Sequence, residues 1–396
     1  MNADKPNRQR GDSSAFLALA FRPFFLAASV WSALSLAMWI TMFMAGLALP
    51  SRFDPLTWHI HEMLFGFVLA AIAGFMLTAI PTWTGRPPLH GAYLAGLAAL
   101  WLLGRITCLL SAWIPLWLAA VLDLGFPFVL CSFAAREIIS ARNWRNVAMP
   151  VPVGVLGIAN LLMYFEQAGR AVAPGLGWRL GLAAIIVLIS VVGGRIIPAF
   201  TRNWLLKRGA VTLPRSDWLL IDRAALATLH GGLIGWTFFP QFHPLGVLLV
   251  LAAAFNLWRL ACWHGLTTLS EPLLAILHIG YLWVIVGVAL LGANLLSTVV
   301  PISAAIHALT AGAIGTMVIA VMTRVALGHT GRVIEADRIT TMIYLIVMTA
   351  AIIRIIATVA GGASIPLLGV SAILWVAGFG LFSMVYGPIL ISPRCQ

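Results

Sequence analysis

The sequence is poor in charged residues. Only 9% of its 396 residues are Asp, Glu, Lys or Arg, whereas a soluble domain carries about 25%. Hydrophobic residues make up 61% of the chain, and the mean hydropathy is +1.00. These values exclude an ordinary soluble protein. The apolar runs are too long and too uniform for the alternating strands of a membrane barrel, so the sequence predicts an all-α, polytopic membrane protein.

The sequence also lacks the motifs of most soluble enzymes. Its four cysteines are isolated and form no Cys-x-x-Cys pair, which argues against a redox couple, an iron–sulfur cluster or a cysteine-based zinc site. It contains no Gly-rich nucleotide loop and no serine nucleophile elbow, so ATP-driven and hydrolytic chemistry have no support. The first apolar run is too long for a signal-peptide core and is expected to remain as the first helix.

Twelve apolar segments are long enough to cross a membrane, since one crossing takes about 20 residues. They leave no room for a sizeable extramembrane domain, so residues 1–396 are expected to form one integral-membrane domain. Most of the 24 lysines and arginines, which give the net charge of +12, fall at one end of the spans. The positive-inside rule then places both termini in the cytoplasm, and the charge indicates topology rather than nucleic-acid binding. The predicted spans are residues 15–48, 58–82, 89–111, 114–139, 147–168, 178–200, 218–239, 244–262, 272–296, 303–328, 338–360 and 366–389.

Three spans end in related motifs, which indicates an internal repeat. The second, sixth and tenth spans end at equivalent threonines, Thr84, Thr201 and Thr330. The residues 23 positions before these threonines are His61, Trp178 and His307. The repeat predicts three four-helix units, at about residues 15–139, 147–262 and 272–389, in a pseudo-threefold arrangement.

Two histidines in this repeat are therefore equivalent. His61 and His307 each lie roughly 35 Å from their threonine, at the non-cytoplasmic mouth. Two helices that each present one imidazole at similar depth suit axial ligation of a haem iron, and the same pair suits copper. Arg105 and Arg354 fall late in outward-running spans at about that level, where they are expected to pair with haem propionates.

Further polar residues lie within the spans, where each is a candidate functional group. The candidate ligands for copper or a second metal are His59, His230 and His278. For His230 and His278, a copper ligand, a second haem ligand and a proton relay stay open. His59 and His61 are two residues apart, about 200° around a regular helix, so they face different neighbours. Asp123 needs a partner such as Arg105 or a proton-carrying role.

Four motifs carry a family resemblance. They are Phe-Arg-Pro-Phe-Phe at 21–25, Trp-His-Ile-His-Glu-Met at 58–63, Gly-Gly-Arg-Ile-Ile-Pro-Ala-Phe-Thr-Arg at 193–202 and Leu-Gly-His-Thr-Gly-Arg at 327–332. In these motifs the chain resembles the NnrS family over nearly its whole length. The resemblance implies a bacterial inner-membrane protein that contains haem and copper and is associated with denitrification and the response to nitric oxide.

The leading hypothesis is a haem b and copper protein that binds or reduces nitric oxide. A nitric-oxide reductase would need two adjacent metals, a proton path and electrons from quinol or a periplasmic donor, whereas a sensor or protector needs one haem. A transporter of metal, haem or a small anion, with histidines as transient ligands, is the alternative. The threefold layout is similar to the catalytic subunit of haem–copper oxidases and nitric-oxide reductases. However, this chain lacks their adjacent His-His copper pair, and its sixth span has no histidine.

Overall fold

Helices make up every regular element in the described part of the chain. The structure is a computed structural model, and it describes residues 15–395 except 211, 212, 215–218 and 298. The polar N-terminal segment, residues 1–14, lies outside the described residues. The twelve long helices are α1 (Phe21–Ala45), α2 (Pro55–Thr84), α3 (Gly91–Leu109), α4 (Leu116–Ser140), α5 (Val151–Gln167), α6 (Leu176–Lys207), α7 (Leu219–Phe238), α8 (Pro244–Ala261), α9 (Pro272–Leu296), α10 (Ile302–His329), α11 (Arg338–Ile356) and α12 (Ser364–Ile391).

Eleven of these helices are long and apolar enough to cross a membrane. The remaining helix, α7, has 20 residues and occupies the seventh predicted span, whose first residue, 218, lies outside the described part. Predicted spans and observed helices agree within a few residues at most ends. The first helix begins later than predicted, at Phe21, and α6 continues to Lys207. A multi-pass helical membrane protein is therefore confirmed.

Helix starts follow from local chemistry. Proline occupies the first helical position of α2, α8 and α9, where a missing N–H removes no hydrogen bond. The carboxylate of Asp54 caps α2, because its Oδ1 accepts from the backbone N–H groups of Leu56 at 3.0 Å and Thr57 at 3.1 Å. This cap fixes where the helix with His59 and His61 begins.

The Thr-Gly-Arg motifs are helix stops. Gly85 follows α2 with φ 68°, and Gly331 follows α10 with φ 78°, a left-handed conformation that glycine adopts without steric cost. In α6 the residue after Thr201 is Arg202, and the helix continues to Lys207. The repeated motif therefore ends the second helix of two units, while the middle unit lacks the glycine and has a longer helix.

Most helices pack against the next helix in the chain, and the last packs against the first. Arg22, near the start of α1, is buried and closes this circuit. Its guanidinium donates to the backbone carbonyl oxygens of Leu390, at 2.8 Å, and Ser392, at the end of α12. In the middle of the bundle α2, α6 and α10 contact one another.

A close helix crossing joins the second and third predicted units. On α9, a Cβ added at Gly292 would lie 2.8 Å from the backbone oxygen of Gly246 and 3.1 Å from the backbone nitrogen of Val250, both on α8. Small residues allow such backbone approach in membrane helices. The Gly292→Ala variant is therefore expected to lower the melting temperature in detergent by a clear margin.

The matched control is Gly231→Ala on α7, where an added Cβ meets nothing within 4 Å. That variant is expected to melt at or slightly above the wild-type temperature, because alanine favours helices more than glycine does. Equal melting temperatures for the two variants would contradict the assigned crossing.

Candidate functional site

The backbone of α2 changes its winding directly after His61. Residues Pro55–His61 are α-helical, and Glu62–Val68 form a π-helical segment. The same change occurs in α10, where Ile302–His307 are α-helical and Ala308–Gly315 are π-helical. Helix α6, which has Trp178 at the equivalent position, is α-helical throughout. Since π segments are rare and occur frequently at functional sites, their position after both equivalent histidines marks this level of the bundle.

His61 is fully buried among hydrogen-bond acceptors. Its Nδ1 lies 2.9 Å from Oε1 of Glu62, and its Nε2 lies 2.8 Å from Oδ1 of Asn160 and 3.0 Å from Oδ2 of Asp123. The orientation of the Asn160 amide is fixed because its Nδ2 donates to Oδ2 of Asp123 at 2.9 Å. The ring satisfies acceptors on both sides when both nitrogens carry protons.

Arg105 bridges the two carboxylates of this cluster. Its guanidinium donates to Oε2 of Glu62 at 2.8 Å and to Oδ1 of Asp123. Trp31 donates to the same Glu62 oxygen at 2.7 Å, and the Tyr164 hydroxyl donates to Asp123 at 3.2 Å. The predicted partnership of Asp123 with Arg105 is therefore present. A doubly protonated His61 makes the four ionisable groups neutral in sum, which suits a fully buried cluster.

A second group of residues lies around His59 and His307. The His59 ring stacks on Trp39 with centroids 4.3 Å apart, and its buried Nδ1 has no hydrogen-bond partner among the residues that the structure describes. The Nδ1 of His307 lies 2.6 Å from the backbone oxygen of Ser303, which leaves Nε2 as the lone-pair nitrogen. His307, His59 and Arg354 lie near enough to one another for their charges to interact, and the interaction is repulsive when a ring is protonated.

The structure thus separates the two histidines of the Trp-His-Ile-His motif, as the expected 200° between them implies. His61 has its partners on the first four-helix unit and α5, whereas His59 is associated with His307 and Arg354. The two arginines predicted to bind propionates, Arg105 and Arg354, also differ in their partners. Both terminal nitrogens of Arg105 bind carboxylates of the chain, while Arg354 has no ion pair among the residues that the structure describes.

His230 and His278 lie apart from each other. The Nε2 of His230 is 2.8 Å from the hydroxyl of Ser190, and the Nε2 of His278 is 2.9 Å from the hydroxyl of Thr201. Ser190 and Thr201 are eleven residues apart on α6, which separates the two histidines by roughly 16 Å along the helix. The structure therefore does not bring these two candidates together.

A polar cluster around the buried Arg259 joins the second and third predicted units, and it was missed by the sequence analysis. Arg259 donates to Asp222 at 2.7 Å and to the hydroxyl of Tyr281 at 2.7 Å, and this hydroxyl donates to Oδ1 of Asn256 at 2.6 Å. Arg259 lies in the last turn of α8, where topology alone explains a basic residue. The available signal was the pair of hydrogen-bonding side chains, Asn256 and Tyr281, inside strongly apolar helices.

The cluster around His61 also contains three atoms that could bind a metal ion. Ligand atoms of His61, Glu62 and Cys108 lie within 4.8 Å of one another, and all three residues are buried. The Cys108 sulfur lies 3.5 Å from Nδ1 of His61. Cys108 is one of the four isolated cysteines, and nothing in its local sequence indicates the contact.

The fold and these sites define a multi-pass helical membrane protein with buried ionic and histidine-containing clusters between its helices. The profile of the NnrS protein family matches residues 15–394, and the chain belongs to this family. None of the curated proteins compared with the chain matches it.

Proposed function

We propose that this protein is a haem b and copper protein of the bacterial inner membrane that binds nitric oxide. The observation that carries the proposal is the buried Nδ1 of His59, which has no hydrogen-bond partner among the described residues. His307 and Arg354 lie near enough for their charges to act on this ring. A haem held there would supply an iron, and a small diatomic ligand would bind this iron in place of one of the two imidazoles. Membership of the NnrS family, whose name refers to the nitric-oxide response, supports the same function.

The residues present fit a haem. In the described part of the chain the buried Nδ1 of His59 has no hydrogen-bond partner, which is costly unless a ligand satisfies it. The Nδ1 of His307 is engaged by a backbone oxygen, as is usual for a metal-binding histidine, and this arrangement orients the ring. Arg354 has no carboxylate partner in the described part of the chain, so its guanidinium is available for a propionate. The proposal therefore assigns His59, rather than His61, as the partner of His307.

The group of His61, Glu62 and Cys108 fits copper. Imidazole nitrogen and thiolate sulfur are ligands that copper accepts, and the three ligand atoms are within reach of one ion. Binding there requires His61 to give up the Nδ1 proton and Cys108 to become a thiolate, so copper uptake would release protons. In this assignment His230 and His278 are not copper ligands.

The proposal includes three four-helix units around a central axis and both termini in the cytoplasm. The contacts among α2, α6 and α10 support the first part, and so do the π segments that follow His61 and His307. The excess of lysine and arginine at one end of the spans supports the second.

Consumption of nitric oxide by the reduced protein in liposomes tests the function. With a quinol as electron donor, an electrode is expected to record nitric-oxide loss that depends on the protein. Loss that stops at one molecule per haem indicates a binding protein, while continuous loss indicates a reductase supplied by the quinol. A colourless preparation from cells with ample haem, together with no nitric-oxide loss, would contradict the proposal and favour the transporter.

A further inference from the structure

A cavity of about 80 Å³ lies between the three central helices. Its wall comes from α2, α6 and α10, with Phe25 of α1 at one side. Every residue that lines it is apolar. It is distinct from the histidine clusters and from the Arg259 cluster, since it shares no residue with them.

The wall repeats in threes. Sixteen positions before Thr84, Thr201 and Thr330 the three helices place Val68, Ile185 and Ile314 in the wall. Nine positions before the same threonines they place Phe75, Val192 and Val321. At two further levels between these, 13 and 12 positions before the threonines, each helix again places one apolar residue in the wall. Each helix thus contributes an apolar residue at each of these four levels, and the three helices line a partly open column roughly 10 Å long.

Because the wall offers no hydrogen-bonding groups, it favours some kinds of bound molecule over others. A single water needs about 10–15 Å³ of such volume and two to four polar partners, so the cavity has the space for water but not the partners. An ion or a hydrogen-bonding solute would lose its hydration there without compensation. A small uncharged molecule of low polarity, such as a dissolved diatomic gas or xenon, loses little hydration and gains van der Waals contact.

The position of the cavity links two regions of the bundle. Its first level lies seven residues after His61 and after His307, about 10 Å along α2 and α10. At its other end it shares Phe75, Ile196 and Val321 with a second cavity of about 320 Å³, whose wall includes Arg324 and His329. An apolar column therefore leads from the far end of the bundle toward the level of the histidines.

We infer that the central cavity is a binding and transit site for a small uncharged gas molecule. The identity of this gas as nitric oxide rests on the proposed function, but the occupancy of the cavity does not. The cavity would concentrate the gas within the protein, close to the histidine level, while the apolar wall excludes water and ions.

Xenon is the probe for occupancy, because its binding requires no haem. Crystals of the full chain pressurised with xenon are expected to show a xenon atom in the central cavity. The Ala71→Phe variant places an aromatic ring into the cavity from α2 and is expected to remove that atom. Its control is Ala99→Phe on an exposed face of α3, which leaves xenon in place. If Ala71→Phe fails to fold, Met317→Ala enlarges the cavity and is expected to raise xenon occupancy.

Transit is tested by rebinding of nitric oxide after flash photolysis of the reduced protein. Ala71→Phe is expected to slow rebinding several-fold, with Ala99→Phe unchanged. A cavity that takes no xenon overturns the inference, even where the haem spectrum is normal. Xenon binding with equal rebinding rates in both variants overturns the transit role. A protein that binds xenon but carries no haem refutes the proposed function alone, since the occupied cavity stands.

Discussion

Replacement of His307 by alanine is expected to remove the haem b absorption bands from the purified protein. In the proposed site His307 and His59 would hold the haem, and loss of either would leave it with one protein ligand. The His59→Ala variant is therefore expected to lose the bands as well, or to show a shifted spectrum of reduced intensity. The measurement is the reduced-minus-oxidised difference spectrum, with haem content per protein from the pyridine haemochrome.

Two further histidine variants make this test specific. His90→Ala changes an exposed residue at the N-cap position of α3 whose side chain makes no capping hydrogen bond in the described structure, and it is expected to keep the full spectrum. His61→Ala is expected to destabilise the protein, but the folded fraction should keep the bands, because His59 and His307 would still hold the haem. If His61→Ala loses the bands while His59→Ala keeps them, the position in the repeat identifies the ligand and the assignment of His59 is wrong.

The sequence was sufficient for the helical fold because each span is a long apolar run with turn residues at its ends. Residues 272–296 were predicted as a span, and the ninth helix has the same bounds. The bounds of α6 were less accurate, since Arg202 and Lys207 ended the apolar run although the helix continues through them. Hydropathy gives the end of the apolar region, whereas the helix ends where its backbone hydrogen bonds end.

The candidate site was predicted less completely, because the partners come from different helices. Composition and repeat position marked His61, Arg105 and Asp123, and the pairing of Asp123 with Arg105 is present. The contacts of His61 with Asn160 of α5 depend on how the first two units pack, which a single sequence does not specify. The π segments change which side of α2 each residue faces, and a prediction based on regular α-helical periodicity misses that change.

Removal of the Arg105 side chain is expected to lower the stability of the folded protein more than removal of any other single charged side chain. Arg105→Ala leaves Glu62 and Asp123 buried with one remaining cation, His61, between them. Breaking a buried ion pair from one side typically costs about 3–5 kcal/mol, because an uncompensated charge remains. The measurement is thermal unfolding in detergent, followed by tryptophan fluorescence, since Trp31 donates a hydrogen bond to Glu62.

The matched control is Arg86→Ala. The Arg86 side chain is 44% exposed and pairs with Glu137. That variant is expected to cost at most about 1 kcal/mol, because water screens the pair and Arg136 still contacts Glu137 at 2.9 Å. Equal destabilisation by the two variants would contradict a fully buried cluster.

The Arg105→Lys variant distinguishes the effect of the positive charge from the effect of the hydrogen-bond geometry. Lysine restores one cation but not the two-sided bridge to Glu62 and Asp123. The stability of Arg105→Lys should fall between those of the wild type and Arg105→Ala. The lysine charge neutralises the cluster, but only the guanidinium can join α2 to α4.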